Sequence, residues 1–373
     1  MKSIELNRLN RNIEEIALYD LREHNTFGSA YYVSQQGKIV YQKCFGKVTP
    51  NGCLAVNENT IFRMASMTKP VTAVAILILV DRGMLSLDTP VKKFLPQFEN
   101  IHITATDGTI IGISKTDMTI LHLLTHTSGI GDSKTSQMCA EDKKSVENSV
   151  NFYAKAGLDF EPFTKQVYSG TAAFDVLVAT AEKVTGMSFE EFLQREIFKP
   201  CHMKDTTFSP TAEQISRIIA MHDKQNEKGV VGKVVDGCIF EDYPIGHNLG
   251  GAGLISTLSD YSSFVNMLLY KGKIDGKQIV TEKTMQLLSE PFVRKEVLPG
   301  NYNRGLGVRV VTENEKSILP IGSFGWSGAY GTHFWVDPIN CTAGIYMKNS
   351  RVDGGSFSQS AQRFEEAVYN SFI

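Results

Sequence analysis

Ser66 and Lys69 stand three residues apart in the stretch FRMASMTKPVTAVAILILVDRG, Phe62 to Gly83, at the mouth of a run that is apolar from Val71 to Val80 apart from Thr72. A segment this apolar predicts a helix buried on nearly all sides, with Gly83 in the position that follows the C-cap. Residues three apart at a helix start share a face, so the hydroxyl and the amine can touch. With Ser66 as N-cap, Pro70 forfeits at most one helical hydrogen bond, and the helix N-terminus brings a positive field and free N–H groups to the serine. A cation at the head of a buried helix costs desolvation energy, and burial favours the uncharged form of a lysine. A neutral amine beside a hydroxyl is a general base beside a nucleophile. The plainer reading is a capping serine followed by a lysine that reaches out to water. Composition alone yields Ser-x-x-Lys about once or twice in a chain of this length, and Ser66 is the only serine here with lysine at +3.

Other chemistries find little support. GWSGA fails the G-x-S-x-G elbow at its last position, GKIDGK is one residue short of a phosphate-binding loop, and no H-E-x-x-H occurs. His122 and His126 have helical i,i+4 spacing but no carboxylate or third ligand close by, so packed or capping histidines are the better reading. Gly250 to Gly253, GGAG, lacks the strand-then-helix setting of a dinucleotide fingerprint and reads as a tight turn. Neither metal nor organic cofactor is implied.

The elements that must position the serine and lysine follow from pattern. The N-terminal 25 residues carry apolar positions at helical spacing among charges, an amphipathic surface helix. Tyr31 to Val48 reads as an antiparallel hairpin around Gln-Gln-Gly. Between Leu85 and Asp260 the chain is mostly helix and loop, with helices in MTILHLLTHTS, TAAFDVLVATAEKVTG and SFEEFLQREIF. SDYSSFVNMLLYKG follows, with Ser259 or Asp260 as N-cap and Gly272 after its end. Strand signal returns in GLGVRVV and in two runs around Asp-Pro-Ile-Asn, and SQSAQRFEEAVYNSF closes as a helix. Strands at both ends with helices between predict one sheet built from both termini: an α/β lobe of residues 1–84 and 300–373, and an inserted, mostly helical lobe of residues 85–299.

Composition sets the outer limits. The 373 residues are 42% hydrophobic and 21% charged with a net charge of −2, which gives no argument for nucleic acid or an acidic membrane surface as partner, and none is expected. The six cysteines are scattered without metal-ligand spacing, as expected of free thiols in a reducing compartment. A secretion signal needs an unbroken apolar core of about 7–15 residues, which the N-terminal stretch lacks. Val71–Val80 is too short for a bilayer, which takes roughly 20 residues. The expectation is a cytoplasmic protein with no membrane anchor.

With these motifs in view, the chain resembles the serine β-lactamase and penicillin-binding protein superfamily, in its class C-like branch, close to the family VIII carboxylesterases. The likeness runs through FRMASMTKPVTAVAILILVDRGMLSLDTPVKKFLP, MTILHLLTHTSGI, YSGTAAFDVLVATAEKVTGMSFEEFL, GGAGLISTLSDYSSF and GWSGAYGTHFWVDP, in that order. It implies a β-lactamase/transpeptidase-like fold, an antiparallel sheet flanked by helices with an inserted helical lobe, and an active site between the lobes. By resemblance, Ser66 is the acylated nucleophile, Lys69 its base and Tyr168 a proton relay. Trp326, Ser327 and Gly328 occupy the third motif and, with Gly170, line the substrate site. The backbone N–H groups of Ser66 and Ala329 form the oxyanion hole. Two departures matter. Gly170 stands where the second motif usually has asparagine, and Trp326 stands where lactamases have a lysine that greets a substrate carboxylate. Both changes favour a small, uncharged ester as substrate. The alternatives are a β-lactam or D-amino-acid amide and peptide hydrolase with the same three residues, or a catalytically silent binding protein. The loops Met138–Phe163 and Met221–Asn248 are expected to shape the pocket.

Overall fold

In the computed structural model, which describes residues 2–23, 25–222, 246–294, 298, 300, 303–313, 315–355 and 358–373, the chain enters on the expected amphipathic helix. This helix, α1 (Leu6–Arg22), buries Leu9, Ile13, Ile16 and Ala17 along one stripe, and Glu5 caps it by accepting the N–H groups of Asn7 and Arg8. Strands β1 (Gly28–Gln35) and β2 (Lys38–Gly46) form the predicted hairpin. Its two turn residues, Gln36 and Gly37, both have positive φ, the twist a two-residue turn needs. β3 (Ile61–Arg63) then leads through a 3₁₀ turn, Ala65–Met67, into α2 (Thr68–Asp81). Every residue of α2 from Thr68 to Leu79 is buried, and Gly83 follows the C-cap at φ 66° as its position required.

The middle of the chain opens with β4 (His102–Thr104) and β5 (Ile110–Ile113), a short ribbon the sequence pattern did not suggest. Helices α3 (Ile120–Leu124), α4 (Val146–Ala156), α5 (Ala172–Thr185), α6 (Phe189–Leu193) and α7 (Ala212–Ser216) follow, α6 running on into a π turn. β6 (Ile255–Thr257) pairs with β3 and so braces the turn that carries Ser66. α8 (Leu258–Leu269) is capped by Thr257, which accepts the N–H of Asp260. The expected caps, Ser259 and Asp260, lie inside the helix. Leu258 is buried and starts the helical turn one residue earlier, and the Asp260 carboxylate instead receives Asp205 N–H and the Thr206 hydroxyl. A small ribbon, β7 (Lys273–Ile274) with β8 (Lys277–Gln278), and α9 (Glu282–Gln286) complete this part.

The chain then returns to the sheet as β9 (Arg309–Val310), β10 (Phe324–Ser327), β11 (His333–Asp337) and β12 (Thr342–Met347), and ends in α10 (Gln359–Tyr369). The region read as two runs around Asp-Pro-Ile-Asn is three strands, because a tight turn at 328–332 splits the first run. All neighbours in the six-stranded order β2-β1-β12-β11-β10-β9 are antiparallel, and β1 pairs with β12 from Ala30 opposite Met347 to Gln35 opposite Thr342. Both termini therefore build one sheet, as the pattern predicted. Side-chain alternation sorts its faces. Tyr31, Trp335 and Tyr346 pack with Phe364 and the apolar stripe of α1. Tyr32, Phe334, Ile345 and Met347 belong to the main core with α2 and α8. α8 thus packs on the inner face of the sheet, and α2, the helix after Ser66, shares that core.

Candidate active site

Ser66 is presented by a turn that an ordinary helix start would not produce. Ala65 has φ 46°, a left-handed backbone that costs a non-glycine residue energy and persists only where its surroundings impose it. Those surroundings are dense. Thr68 accepts Leu254 N–H, Tyr261 donates its hydroxyl to Met67 O at 2.8 Å, and Met64 N–H reaches Leu254 O. Ser66 is not the N-cap of α2; Met67 holds that position and no side chain caps the end. A capping hydroxyl would be tied to backbone N–H groups, whereas Ser66 Oγ is turned outward, 2.6 Å from Tyr168 Oη.

Lys69 is fully buried, and the local cost is offset by two carbonyls. Its Nζ donates to Gly170 O at 2.5 Å and to Gly251 O at 2.8 Å, and lies 3.4 Å from Ser66 Oγ. Two of the three positions on the nitrogen are therefore assigned to carbonyls, and the third faces the Ser66 hydroxyl. The rings of Tyr168 and Phe174 flank the amine at 4.9 and 5.2 Å. The GGAG stretch acquires its reason here. A Cβ on Gly251 would come within 2.4 Å of Gly170 O and 3.1 Å of Lys69 Nζ, while Gly250 O accepts the Thr72 hydroxyl.

Tyr168 stands just before α5, and the turn that carries it is pinned from two sides. The Asp132 carboxylate accepts the N–H groups of Gly170, Thr171 and Ala172 and the Thr171 hydroxyl, acting as the cap that Thr171 itself does not provide. This also accounts for Gly170 in place of an asparagine, because a Cβ there would lie 2.8 Å from Asp132 Oδ2. On the other side, His126 Nδ1 accepts Ser169 N–H at 3.2 Å, and its backbone carbonyl accepts Val167 N–H. The His126 ring is buried against Tyr168, Phe174 and Trp326. Burial first, then the charges of Arg304 and Lys69, hold its pKa well below the usual histidine range. His122 instead accepts Thr119 N–H and completes the cap of α3. Among the described residues no group of three or more His, Cys, Asp or Glu side chains is arranged to hold a metal.

On β10, Trp326 is buried and faces the cleft side of the sheet, its ring 5.9 Å from that of Tyr168. The Ser327 hydroxyl, expected at the substrate, points the other way. It bonds His333 Nδ1 at 2.8 Å, and His333 Nε2 meets Glu365 Oε1 at 3.0 Å, so the side chain serves the packing of α10 and not the cleft. Gly328 approaches the backbone just ahead of Ser66 so closely that a Cβ would sit 2.4 Å from Met64 O. The exposed Ala329 follows it on the turn at 328–332.

The structure adds a cation that the motifs did not announce. Arg304, 1% exposed, comes from the loop before β9 and lays its guanidinium 4.6 Å from the Trp326 ring and 5.7 Å from the Tyr168 ring. The expectation that tryptophan in the third motif leaves this wall uncharged holds for the strand and fails for the site. The only sequence signal was an arginine opening the glycine-rich turn Arg304-Gly305-Leu306-Gly307. Val167, next to Tyr168 in the chain, is exposed, as is Phe163, whose ring meets His122. Of the two loops expected to shape the pocket, most of Met221–Asn248 lies outside the described residues.

The β-lactamase family model matches residues 9–367. The chain belongs to the β-lactamase family. Esterase EstB of Burkholderia gladioli is 28% identical over 91% of this chain and 91% of its own. Among solved structures, EstCE1, described as a hydrolase with promiscuous acyltransferase activity, superposes with a TM-score of 0.83 at 21% identity, covering 98% of this chain and 99% of that one. A penicillin-binding protein homologue from Caulobacter crescentus gives 0.78 at 18% identity, with 98% and 97% covered. These two share the fold. The α/β architecture with an antiparallel sheet is theirs as well, and the resemblance read from the motifs is borne out.

Proposed function

We propose that the protein is a serine hydrolase that cleaves short, uncharged carboxylic esters through an acyl-enzyme on Ser66. The observation that carries this reading is the convergence on one hydroxyl of Tyr168 Oη at 2.6 Å and of the buried Lys69 Nζ at 3.4 Å. Gly170 O and Gly251 O hold two positions of Lys69 Nζ, which leaves the remaining one toward Ser66. Ser66 Oγ attacks the ester carbonyl carbon as its proton passes to Lys69. The N–H groups of Ser66 and Ala329 receive the oxyanion; one such donor is typically worth about 10²–10³ in kcat. Tyr168 gives its proton to the departing alkoxide, which leaves as the alcohol. Water then attacks the acyl carbon, returning a proton to Tyr168, and Lys69 returns the other to Ser66.

The name of the Burkholderia relative and the hydrolase description of EstCE1 support acyl chemistry on small molecules. The substrate lies between an α/β lobe of residues 1–84 and 300–373 and a helical lobe of residues 85–299. Two parts of the second range contact the first directly: β6, which pairs with β3, and α8, which packs on the sheet. No described helix is long and apolar enough to cross a membrane, and we place the enzyme in the cytoplasm. The test is a fluorophosphonate or a slow ester followed by intact-protein mass spectrometry. One adduct is expected, lost in Ser66→Ala; labelling that persists in the variant overturns the assignment. Hydrolysis of nitrocefin as fast as p-nitrophenyl butyrate would move the substrate class to β-lactams.

A further inference from the structure

Arg304 is buried, charged and outside the three-residue machinery, and it is the group whose position calls for a role. Its guanidinium carbon sits 4.6 Å from the Trp326 ring and 5.7 Å from the Tyr168 ring, while Lys69 Nζ lies 4.9 Å from that same phenol ring. At the step where Tyr168 gives up its proton, Lys69 has already taken that of Ser66, so the phenol ring then stands within 6 Å of a cation from α2 and another from the loop ahead of β9. His126, also packed on the phenol, contributes no charge, because burial first, then Arg304 and Lys69, hold its pKa well below the usual range. The backbone fixes the arginine as closely as the site requires. Arg304 pairs with Val293 through both N–H and C=O, and Gly307 three residues on donates to Leu124 O and lies so near α2 that a Cβ would meet Lys69 O at 3.1 Å.

We infer that Arg304 is a positioning residue that stabilises the negative charge left on Tyr168 when its proton goes to the leaving alcohol. This rests on the ester-hydrolase reading above. In that step the bond from the acyl carbon to the alkoxide oxygen breaks, the Tyr168 O–H bond breaks, and the alcohol O–H bond forms. The electron pair of the phenol O–H stays on Tyr168 until water returns a proton during deacylation. A positive charge held beside the ring favours negative charge on the phenol over its absence. The guanidinium thus does electrically, from behind the indole, what a strand cation would do from within the cleft. Because it is covered by Trp326, it does so without offering a docking point to a charged substrate.

The inference makes a leaving-group prediction. A p-nitrophenolate departs without being protonated, whereas an ethoxide must take a proton from Tyr168. In Arg304→Met, kcat for ethyl butyrate should fall about 100-fold with KM within about threefold. The pre-steady-state burst of p-nitrophenol from p-nitrophenyl butyrate should slow by less than about fivefold. Arg304→Lys should recover at least about tenfold of the ethyl butyrate loss. In a Tyr168→Phe background, Arg304→Met should add no further loss. Equal slowing for both leaving groups, or a full loss that persists beside Tyr168→Phe, overturns the inference. Should Arg304→Met fail to fold, as followed by circular dichroism and melting, Arg304→Lys decides alone: its loss, whatever its size, must be confined to the alkyl ester and must vanish with Tyr168→Phe. Failure of the ester reading itself is separate, because it appears as a wild-type protein with neither a burst nor an adduct on Ser66.

Discussion

His126 holds its ring 4.8 Å from Tyr168 and 5.5 Å from Phe174, and its left-handed backbone, φ 59°, turns both its Nδ1 and its carbonyl toward the segment that carries the tyrosine. The sequence marked this residue only as half of a histidine pair. Its actual partner, Ser169, lies 43 residues away, and no local pattern encodes that. The same burial has a thermodynamic signature. In the folded chain His126 stays neutral well below its ordinary range, while in the unfolded chain it takes up a proton as pH falls through about 6.5. The unfolded state then binds more protons, so stability is intact above that value and declines below it. His126→Gln, which keeps an acceptor for Ser169 N–H, should flatten this acid limb. The drop in melting temperature between pH 7.5 and 5.5 should be smaller in the variant than in wild type, and an unchanged drop would assign the acid sensitivity elsewhere.

At the scale of elements, the legible parts were those with a strong local period. The buried α2, the hairpin β1–β2, α5 ending at Gly186 and the two terminal helices follow from apolar spacing and turn residues. Features set by long-range pairing were missed. The ribbon β4–β5 is held by Leu158, which bonds to both His102 and Thr104, and the start of α8 is decided by the buried Leu258. The cap of α5 is the clearest case, since its carboxylate comes from Asp132, 38 residues before Gly170. Replacing an ordinary cap costs about 0.5–2 kcal/mol, and Asp132 serves three N–H groups and a hydroxyl. Asp132→Ala should therefore lose about 2 kcal/mol or more in urea melts. It should also lower kcat, because the turn it frees carries both Tyr168 and the Gly170 carbonyl that holds Lys69. Asp132→Asn, which keeps an acceptor but no charge, should fall between. A variant with wild-type stability and wild-type kcat would show that the serine, lysine and tyrosine keep their places without this cap.

Across the whole molecule, the site is the point where three distant stretches meet: the head of α2, the turn before α5, and the sheet edge with the loop ahead of it. Ser66, Lys69 and Tyr168 were readable because their types and order survive in sequence; the electrostatics were not, because Arg304 reaches the cleft only through the fold. Among the described residues, the two basic side chains of the site are both buried, Lys69 at 0% and Arg304 at 1% exposed, and the indole of Trp326 lies against the second. Neither Lys69 nor Arg304 meets a substrate carboxylate as an exposed counter-ion, so a carboxylate desolvated against them pays a penalty of up to several kcal/mol, whereas a neutral acyl chain gains roughly 25 cal/mol per Å² buried against the aromatic wall. Ethyl butyrate should accordingly exceed monoethyl succinate, which has the same acyl length but a terminal carboxylate, by about 100-fold in kcat/KM. That ratio corresponds to about 2.7 kcal/mol between the two transition states. Trp326→Ala uncovers the guanidinium without removing it, so it should slow the neutral ester through lost apolar contact and speed the charged one, narrowing the ratio to about tenfold or less. Steady-state kinetics on the two esters decide the matter. A ratio near one in the wild type would mean that a carboxylate finds a cation in this cleft after all, and a ratio unchanged in Trp326→Ala would mean that the indole is not what hides it.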